Sequence, residues 1–396
     1  MAEELLAPAL VALYVLQLGS RLFVPEGVAP SDFQCFWTAS QVALAGDPRG
    51  AYDPEVLRAA QVALHQRAGV PTNCFFIYPP LSLLLFLPLA LLPYTASAVA
   101  WLAATAAAYA LALRALLPGW MAVPIFLAFP AVFLNAWYVQ NGFLSAALLG
   151  AAVHFLGKRP VLAGVCLGLL VYKPQLGLVV PVALAAAGRW RAFAAATATV
   201  LGLAVAATVV LGPDIWPAFL ASTDAANRWL EATPSRVAKD MASVFSALRM
   251  LSGHVGWSHA AQGAVAAGVC VLMVSALRRR PGARAEGALM AAAIPLATPY
   301  LFHYDQVILA VPLAWLLAEA RRTGFLPWER AAFVALLLSP ALAYAAVLAW
   351  GTPIAPLASA GVFAATLRRV HRSGAAAPER ACGAPAPDAL APARRA

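Results

Sequence analysis

The sequence predicts an all-α polytopic membrane protein of about twelve transmembrane helices with a helical first outer loop. Three observations predict it. Of its 396 residues 62% are hydrophobic and only 11% charged, whereas a soluble domain carries about half apolar and about a quarter charged residues. Apolar runs recur from Leu5 to Leu367, separated mostly by short polar loops. The basic residues gather in those loops as Arg114, Lys158 with Arg159, Arg189 with Arg191, Arg278 to Arg280 with Arg284, Arg321 with Arg322, and Arg368 with Arg369. The positive-inside rule assigns all of these clusters to the cytoplasm, which tests any choice of spans. It also accounts for the formal charge of +10, so nucleic acid is not an expected partner.

The opening "MAEELLAPALVALYVLQLGS" has neither a basic stretch ahead of its apolar run nor a small-x-small cleavage site, and reads as a retained first helix over 5–24. A long first outer loop, 25–94, follows. Within it "FQCFWTASQVALAG" is amphipathic enough to lie on a membrane surface, and Asp47 and Asp53 in "GDPRGAYDP" read as turn formers. "PPLSLLLFLPLALLP", from Pro79 to Pro93, has about 14 apolar residues where about 20 span a bilayer, and Pro88 interrupts it. Counting it as a span would move the later basic clusters outside, so it is expected as an interfacial or re-entrant segment.

With that choice the remaining spans fall near 95–117, 120–137, 142–157, 160–173, 175–187, 192–212, 258–277, 285–300, 306–320, 327–349 and 352–367, with a second long outer loop over 213–257. Several are shorter than about 20 residues, which implies tilt, local thinning or displaced boundaries. Residues 1–372 are expected as one transmembrane domain without a soluble catalytic part, and the Ala- and Pro-rich 373–396 as a disordered cytoplasmic tail. Cys35 and Cys74 share the first outer loop, where a disulfide would form in an oxidising space; spacing alone leaves this open. Cys166 and Cys270 lie in apolar runs and read as packing residues. No Cys and His spacing suits a metal, and no cofactor is expected.

This topology gathers the unusual polar residues on the outer face. A charge near lipid costs about 2.5–3.5 kcal/mol, so it lines a cavity or finds a partner. Asp32, in "APSDFQCFWTAS", has two readings: it caps the helix that follows, or it is a functional acid. Lys173, in "VYKPQ", either snorkels at a helix end or aims its ammonium at an anionic head group; the second reading is preferred, because it runs against the positive-inside trend. His303 in "TPYLFHYD" is either a satisfied core histidine or a contact to phosphate or sugar, with Asp305 paired to it or to backbone. Gln140 and Asn141 in "YVQNG" form a turn or read sugar hydroxyls. Arg249, on a helical pattern leading to the membrane, is the preferred second phosphate contact. Tyr78, Gln175 and Tyr304 complete the candidate sugar and acceptor contacts.

An acid soon after the first helix, a long first outer loop ending in "YPPL" and many further helices together resemble the GT-C membrane glycosyltransferases. More narrowly, "SDFQCFWTASQVALAGDPRGAYDP", "FIYPPLSLLLFLPLALLP", "VQNGFLSAALL" and "VYKPQLGLVVP" resemble glycosyltransferase family 87, of the polyprenol-phosphate-mannose-dependent mannosyltransferase type, over about residues 5–350. The resemblance implies transfer of a hexose, mannose first among them, from a polyprenyl-phosphate donor to a lipid or glycan acceptor on the extracytoplasmic face of the plasma (inner) membrane. It also implies that the acid of the first outer loop, Asp32 here, is the catalytic base. Many GT-C relatives carry two adjacent acids or a metal-binding set; here Ser31 precedes Asp32, which leaves metal dependence open.

The chemistry agrees with that reading. A carboxylate that takes the proton of an attacking hydroxyl contributes about 10²–10⁴-fold. The leaving group is a lipid phosphate whose growing charge Lys173, Arg249 and His303 would stabilise without a metal, and a single displacement inverts the anomeric centre. The Pro-broken "YPPL" segment is a candidate wall for the lipid tail. Two other classes compete: a transporter or flippase of a lipid-linked sugar, which would show mid-depth charges on broken helices or inverted repeats, and a noncatalytic cell-envelope assembly subunit.

Overall fold

The computed structural model describes residues 32–65, 74–119, 126–232 and 239–375. The expected first span, Ser31 and the tail beyond 375 lie outside the described residues. The described chain is helical, and it has no β-strand beyond an isolated antiparallel bridge between Met241 and Phe302.

The expected outer loop contains α1 (Phe33–Leu44), a 3₁₀ turn at Gly50–Tyr52, α2 (Pro54–His65), α3 (Pro80–Phe86) and a 3₁₀ segment at Leu87–Leu91. The apolar "PPLSLLLFLPLALLP" is therefore two short pieces divided just before Pro88, which cannot donate a backbone hydrogen bond. It runs under α1: Phe36 stacks on Phe86 at 4.4 Å, and Trp37 Nε1 donates to the Leu92 carbonyl at 3.1 Å. Cys35 and Cys74 form a disulfide that ties α1 to the strand of chain leading into Tyr78. Asp47 and Asp53 accept backbone N–H bonds from Gly50 and from Glu55 and Val56, as expected of turn formers.

The bundle follows as α4 (Tyr94–Leu116), α5 (Pro130–Trp137), α6 (Gly142–Phe155), α7 (Pro160–Leu169), α8 (Val180–Ala186), α9 (Trp190–Leu211), α10 (Ile215–Ala232), α11 (Val244–Ser252), α12 (Val255–Leu277), α13 (Ala283–Ala297), α14 (Ala310–Thr323), α15 (Glu329–Trp350) and α16 (Ala355–Ala375). Four of these, α4, α9, α12 and α15, are long and apolar enough to cross a membrane. Helix α15, with 22 residues, is about 33 Å long and has exposed Trp328 and Trp350 at its two ends, the placement of an aromatic belt. Helix α13 is buried from Ala285 to Ala297 and forms the centre, packed on α6, α12, α14 and α16.

Several expected spans are broken. Over 160–187 the chain forms α7, two 3₁₀ turns (Leu170–Tyr172 and Pro174–Gly177) and α8, because Pro174 removes an N–H just where Lys173 leaves helical geometry. The expected span 306–320 likewise begins as a 3₁₀ turn, His303–Leu309, before α14. Helix α7 crosses α9 through small residues. An added Cβ on Gly164 or Gly168 would strike the backbone carbonyls of Ala192 and Ala196, a small-xxx-small crossing in which the missing side chains admit the partner's backbone.

The basic clusters share one end of the bundle. Arg189 pairs with Glu286 at 2.7 Å, Gly157 abuts Ala283, and His154 bonds the Ala115 carbonyl at 3.0 Å. Gly119 lies against Arg321, and Arg369 joins Thr323, Gly324 and Glu329.

Candidate active site

Asp32 occupies the N-cap position of α1, but its backbone is helical (φ −63°, ψ −17°) and its side chain makes no capping bond. A capping side chain starts from extended backbone; from here the carboxylate turns instead to Gln140, whose Nε2 donates to Oδ2 at 2.9 Å. The Asp32 N–H donates to the Tyr138 carbonyl at 3.2 Å, which fixes the entry of α1 against the end of α5.

That end of α5 is built to present Gln140. The Gln140 N–H donates to the Asn135 carbonyl and the Val139 N–H to that of Ala136, the bond pattern of a Schellman motif. Its left-handed position, ordinarily glycine, is held by buried Val139 at φ +50°. A β-branched residue there costs about 1–3 kcal/mol, and the result is a sharp reversal that aims Gln140 back at Asp32. Next in sequence Asn141 heads α6. Its N–H donates to Gln140 Oε1 at 3.2 Å and its Nδ2 to the Tyr78 hydroxyl at 2.9 Å. Gly142 has no room for a Cβ between Asn135, Val307 and the Tyr304 carbonyl, and its N–H donates to Asn135 Oδ1 at 2.7 Å.

Lys173 enters from the break between α7 and α8. Its ammonium donates to Asp305 Oδ1 at 2.6 Å and to Asn141 Oδ1 at 3.3 Å, and lies 5.2 Å from the centre of the Tyr304 ring. Only 2% of the Lys173 side chain and none of that of Asp305 is exposed, so this cation, expected to aim at a head group, faces inward to a carboxylate. Asp305 thus partners Lys173 rather than His303, and its second oxygen accepts the Phe302 N–H at 3.2 Å.

His303 is buried against Tyr344 at 5.2 Å between ring centres, with the Gln306 side chain and the Lys239 carbonyl facing it. Burial pushes its pKa down to about 4. Burial thus favours the uncharged imidazole at neutral pH, where the sequence suggests a cation. Tyr304 stacks on Phe302 at 5.2 Å and approaches Tyr138 at 5.9 Å. Burial, then the nearby Asp305, raise the Tyr78 phenol well above its ordinary pKa, so it keeps its proton.

Arg249, on α11, is buried in a neighbouring cluster, its guanidinium 6.0 Å from the Phe245 ring, which stacks on His259 at 4.2 Å and meets Tyr300 at 5.8 Å. Ala242 donates to the Leu301 carbonyl at 2.6 Å, which lays this part of the second long loop along the segment that carries His303, Tyr304 and Asp305. Gln175 is half-buried, and its carbonyl accepts from Thr298 Oγ1 at 2.9 Å.

The same docking brings in a carboxylate that sequence reasoning missed. Asp240 is exposed, and its charge acts, with that of Asp32, on the phenols of Tyr138 and Tyr304. Nothing in the linear pattern marks it, since it stands in a charged loop far from Asp32. Among the described residues no three His, Cys, Asp or Glu side chains lie close enough together to hold a metal ion. The site as built offers a half-buried acid that accepts from the Gln140 amide, a protonated phenol and an inner ion pair. It is suited to taking a proton from a hydroxyl beside polar groups at the end of the bundle opposite the basic clusters. No curated protein and no solved structure matches the chain. A family model described as glycosyltransferase family 87 matches residues 76–299, which include Tyr78, Gln140, Asn141, Lys173 and Arg249.

Proposed function

The chain belongs to glycosyltransferase family 87, and on that premise we propose that this membrane glycosyltransferase moves a hexose, mannose first among candidates, from a polyprenyl-phosphate donor to a lipid or glycan acceptor with inversion. Asp32 is the general base. The observation that carries this reading is the Asp32 side chain, which forgoes the cap of α1 and joins Gln140 at the edge of the Tyr78–Asn141–Lys173–Asp305 network.

In the reaction the acceptor hydroxyl donates to Asp32 and its oxygen attacks the anomeric carbon. The bond from that carbon to the phosphate oxygen breaks with its electron pair leaving on the polyprenyl phosphate, and the proton rests on Asp32. Arg249 is the cation for the donor phosphate, His303 a neutral hydrogen-bonding partner, and Lys173 contributes from within its pair. Tyr78, Gln140, Asn141, Gln175 and Tyr304 shape the sugar and acceptor side. The active face is extracytoplasmic: the basic clusters occupy the opposite end, which the positive-inside rule assigns to the cytoplasm, and the Cys35–Cys74 disulfide at this end suits an oxidising compartment.

One observation favours a second reading. A buried ion pair where two helices break is also what a flippase of a lipid-linked sugar would carry. Purified protein supplied with synthetic polyprenyl-phosphate mannose and a glycolipid extract separates the two. Release of polyprenyl phosphate is expected, reduced about 10²–10⁴-fold in Asp32→Asn with the melting temperature kept. Transfer at the wild-type rate in that variant removes Asp32 as base, and lipid translocation without release favours the flippase.

A further inference from the structure

We propose that Asp305 is a positioning residue for this transfer: through Lys173 it fixes the Asn141 side-chain amide and with it the Tyr78 hydroxyl. The inference rests on the reading of Asp32 as base.

The argument begins with what the ion pair does not explain. A buried Lys–Asp pair is weak support for a fold, because desolvating both charges offsets their attraction and an apolar pair of similar volume is often as stable. Geometry supplies the other reason. The ammonium of Lys173 has three protons, and the structure directs one to Asp305 Oδ1 at 2.6 Å and one to Asn141 Oδ1 at 3.3 Å, with the Tyr304 ring at 5.2 Å beside them. With its oxygen held by a cation, the Asn141 amide has one orientation; the flipped form would set its NH₂ against the ammonium. Its Nδ2 therefore donates to the Tyr78 hydroxyl, which leaves the Tyr78 proton to point away from Asn141.

The Asn141 backbone, set by the turn at Val139, serves the neighbouring Gln140 contact independently of Lys173. Its N–H holds Gln140 Oε1 at 3.2 Å, which fixes that amide too, so that Nε2 is the group presented to Asp32 at 2.9 Å. The Asn141 side-chain amide is set by Lys173. Asp305 sets Lys173 in turn, and is itself held by the Phe302 N–H at the start of its 3₁₀ turn.

Asp305→Asn, assayed as full-length protein in detergent or lipid, is expected to lower kcat about 10- to 100-fold with the KM for the lipid-phosphate sugar changed less than about threefold, since small misplacements of reacting groups have that size of effect. The paired variant Lys173→Met with Asp305→Leu removes both charges together. It is expected to keep the melting temperature near that of the parent while kcat stays low. Parental kcat in either folded variant, or a rise in KM with kcat unchanged, overturns the proposal. The two readings fail differently: an active Asp32→Asn removes the base, whereas an inactive Asp32→Asn beside a fully active Asp305→Asn removes the positioning role and leaves the base.

Discussion

At the scale of single residues, the site is made by side chains that decline their nearest local partner. Asp32 sits where a helix cap would be and bonds Gln140 instead, and Val139 accepts a left-handed backbone to aim that glutamine. His303 shows the cost of burial in its titration. Burial pushes its pKa down to about 4, while in the unfolded chain it titrates near 6.5. As pH falls between these values the unfolded chain takes up the proton first, so stability is unaffected above about 6.5 and is lost toward 4. The loss reaches about 3 kcal/mol. Melting temperatures of the parent and of His303→Asn, measured from pH 7 to pH 4, are expected to converge as the solution is acidified, because the variant lacks this penalty. Curves that stay parallel would contradict it.

At the scale of elements, two kinds of helix meet. The long ones were readable from their apolar runs: 95–117, 192–212, 258–277 and 327–349 were expected, and α4, α9, α12 and α15 start and end within a few residues of them. In lipid a backbone must satisfy its own hydrogen bonds, so a continuous apolar run of the right length leaves few choices. The broken elements are those that carry the site: the 3₁₀ turns around Lys173 and at His303–Leu309 free backbone and side chains to face one another. They are held in place by close crossings such as that of α7 on α9. Gly168→Leu is expected to lower stability by about 1–3 kcal/mol through overpacking, seen as a lower melting temperature in detergent, whereas Gly202→Leu on α9, where a Cβ meets nothing, should leave it unchanged. Equal effects of the two would sink the packing account.

At the scale of the whole molecule, the basic clusters and the proposed site occupy opposite ends. Arg189, Arg321, Arg369 and their neighbours converge at one end, and Asp32, Tyr78, Lys173 and Asp305 at the other. This separation yields a topological prediction. In cells, with the other free thiols removed, a cysteine at exposed Arg279 should react with a membrane-impermeant maleimide only after permeabilisation, and one at exposed Arg228 should react in intact cells. Labelling in the reverse order would place the active face in the cytoplasm.

The sequence by itself determined the class of the molecule, its long helices, the family it belongs to and the short list of polar residues worth attention. Those follow from local composition: apolar length answers to the bilayer, basic loops answer to its two sides, and the motifs around Tyr78, Gln140 and Lys173 are contiguous. Only the tertiary structure decided which of those residues meet. It turned Lys173 inward to Asp305, buried His303, formed the Cys35–Cys74 disulfide and brought Asp240 within electrostatic reach of Tyr138 and Tyr304. Each of these joins residues far apart in the chain or depends on how deeply a group is buried. Such pairings are set by how whole helices pack, and no window of neighbouring residues contains that information.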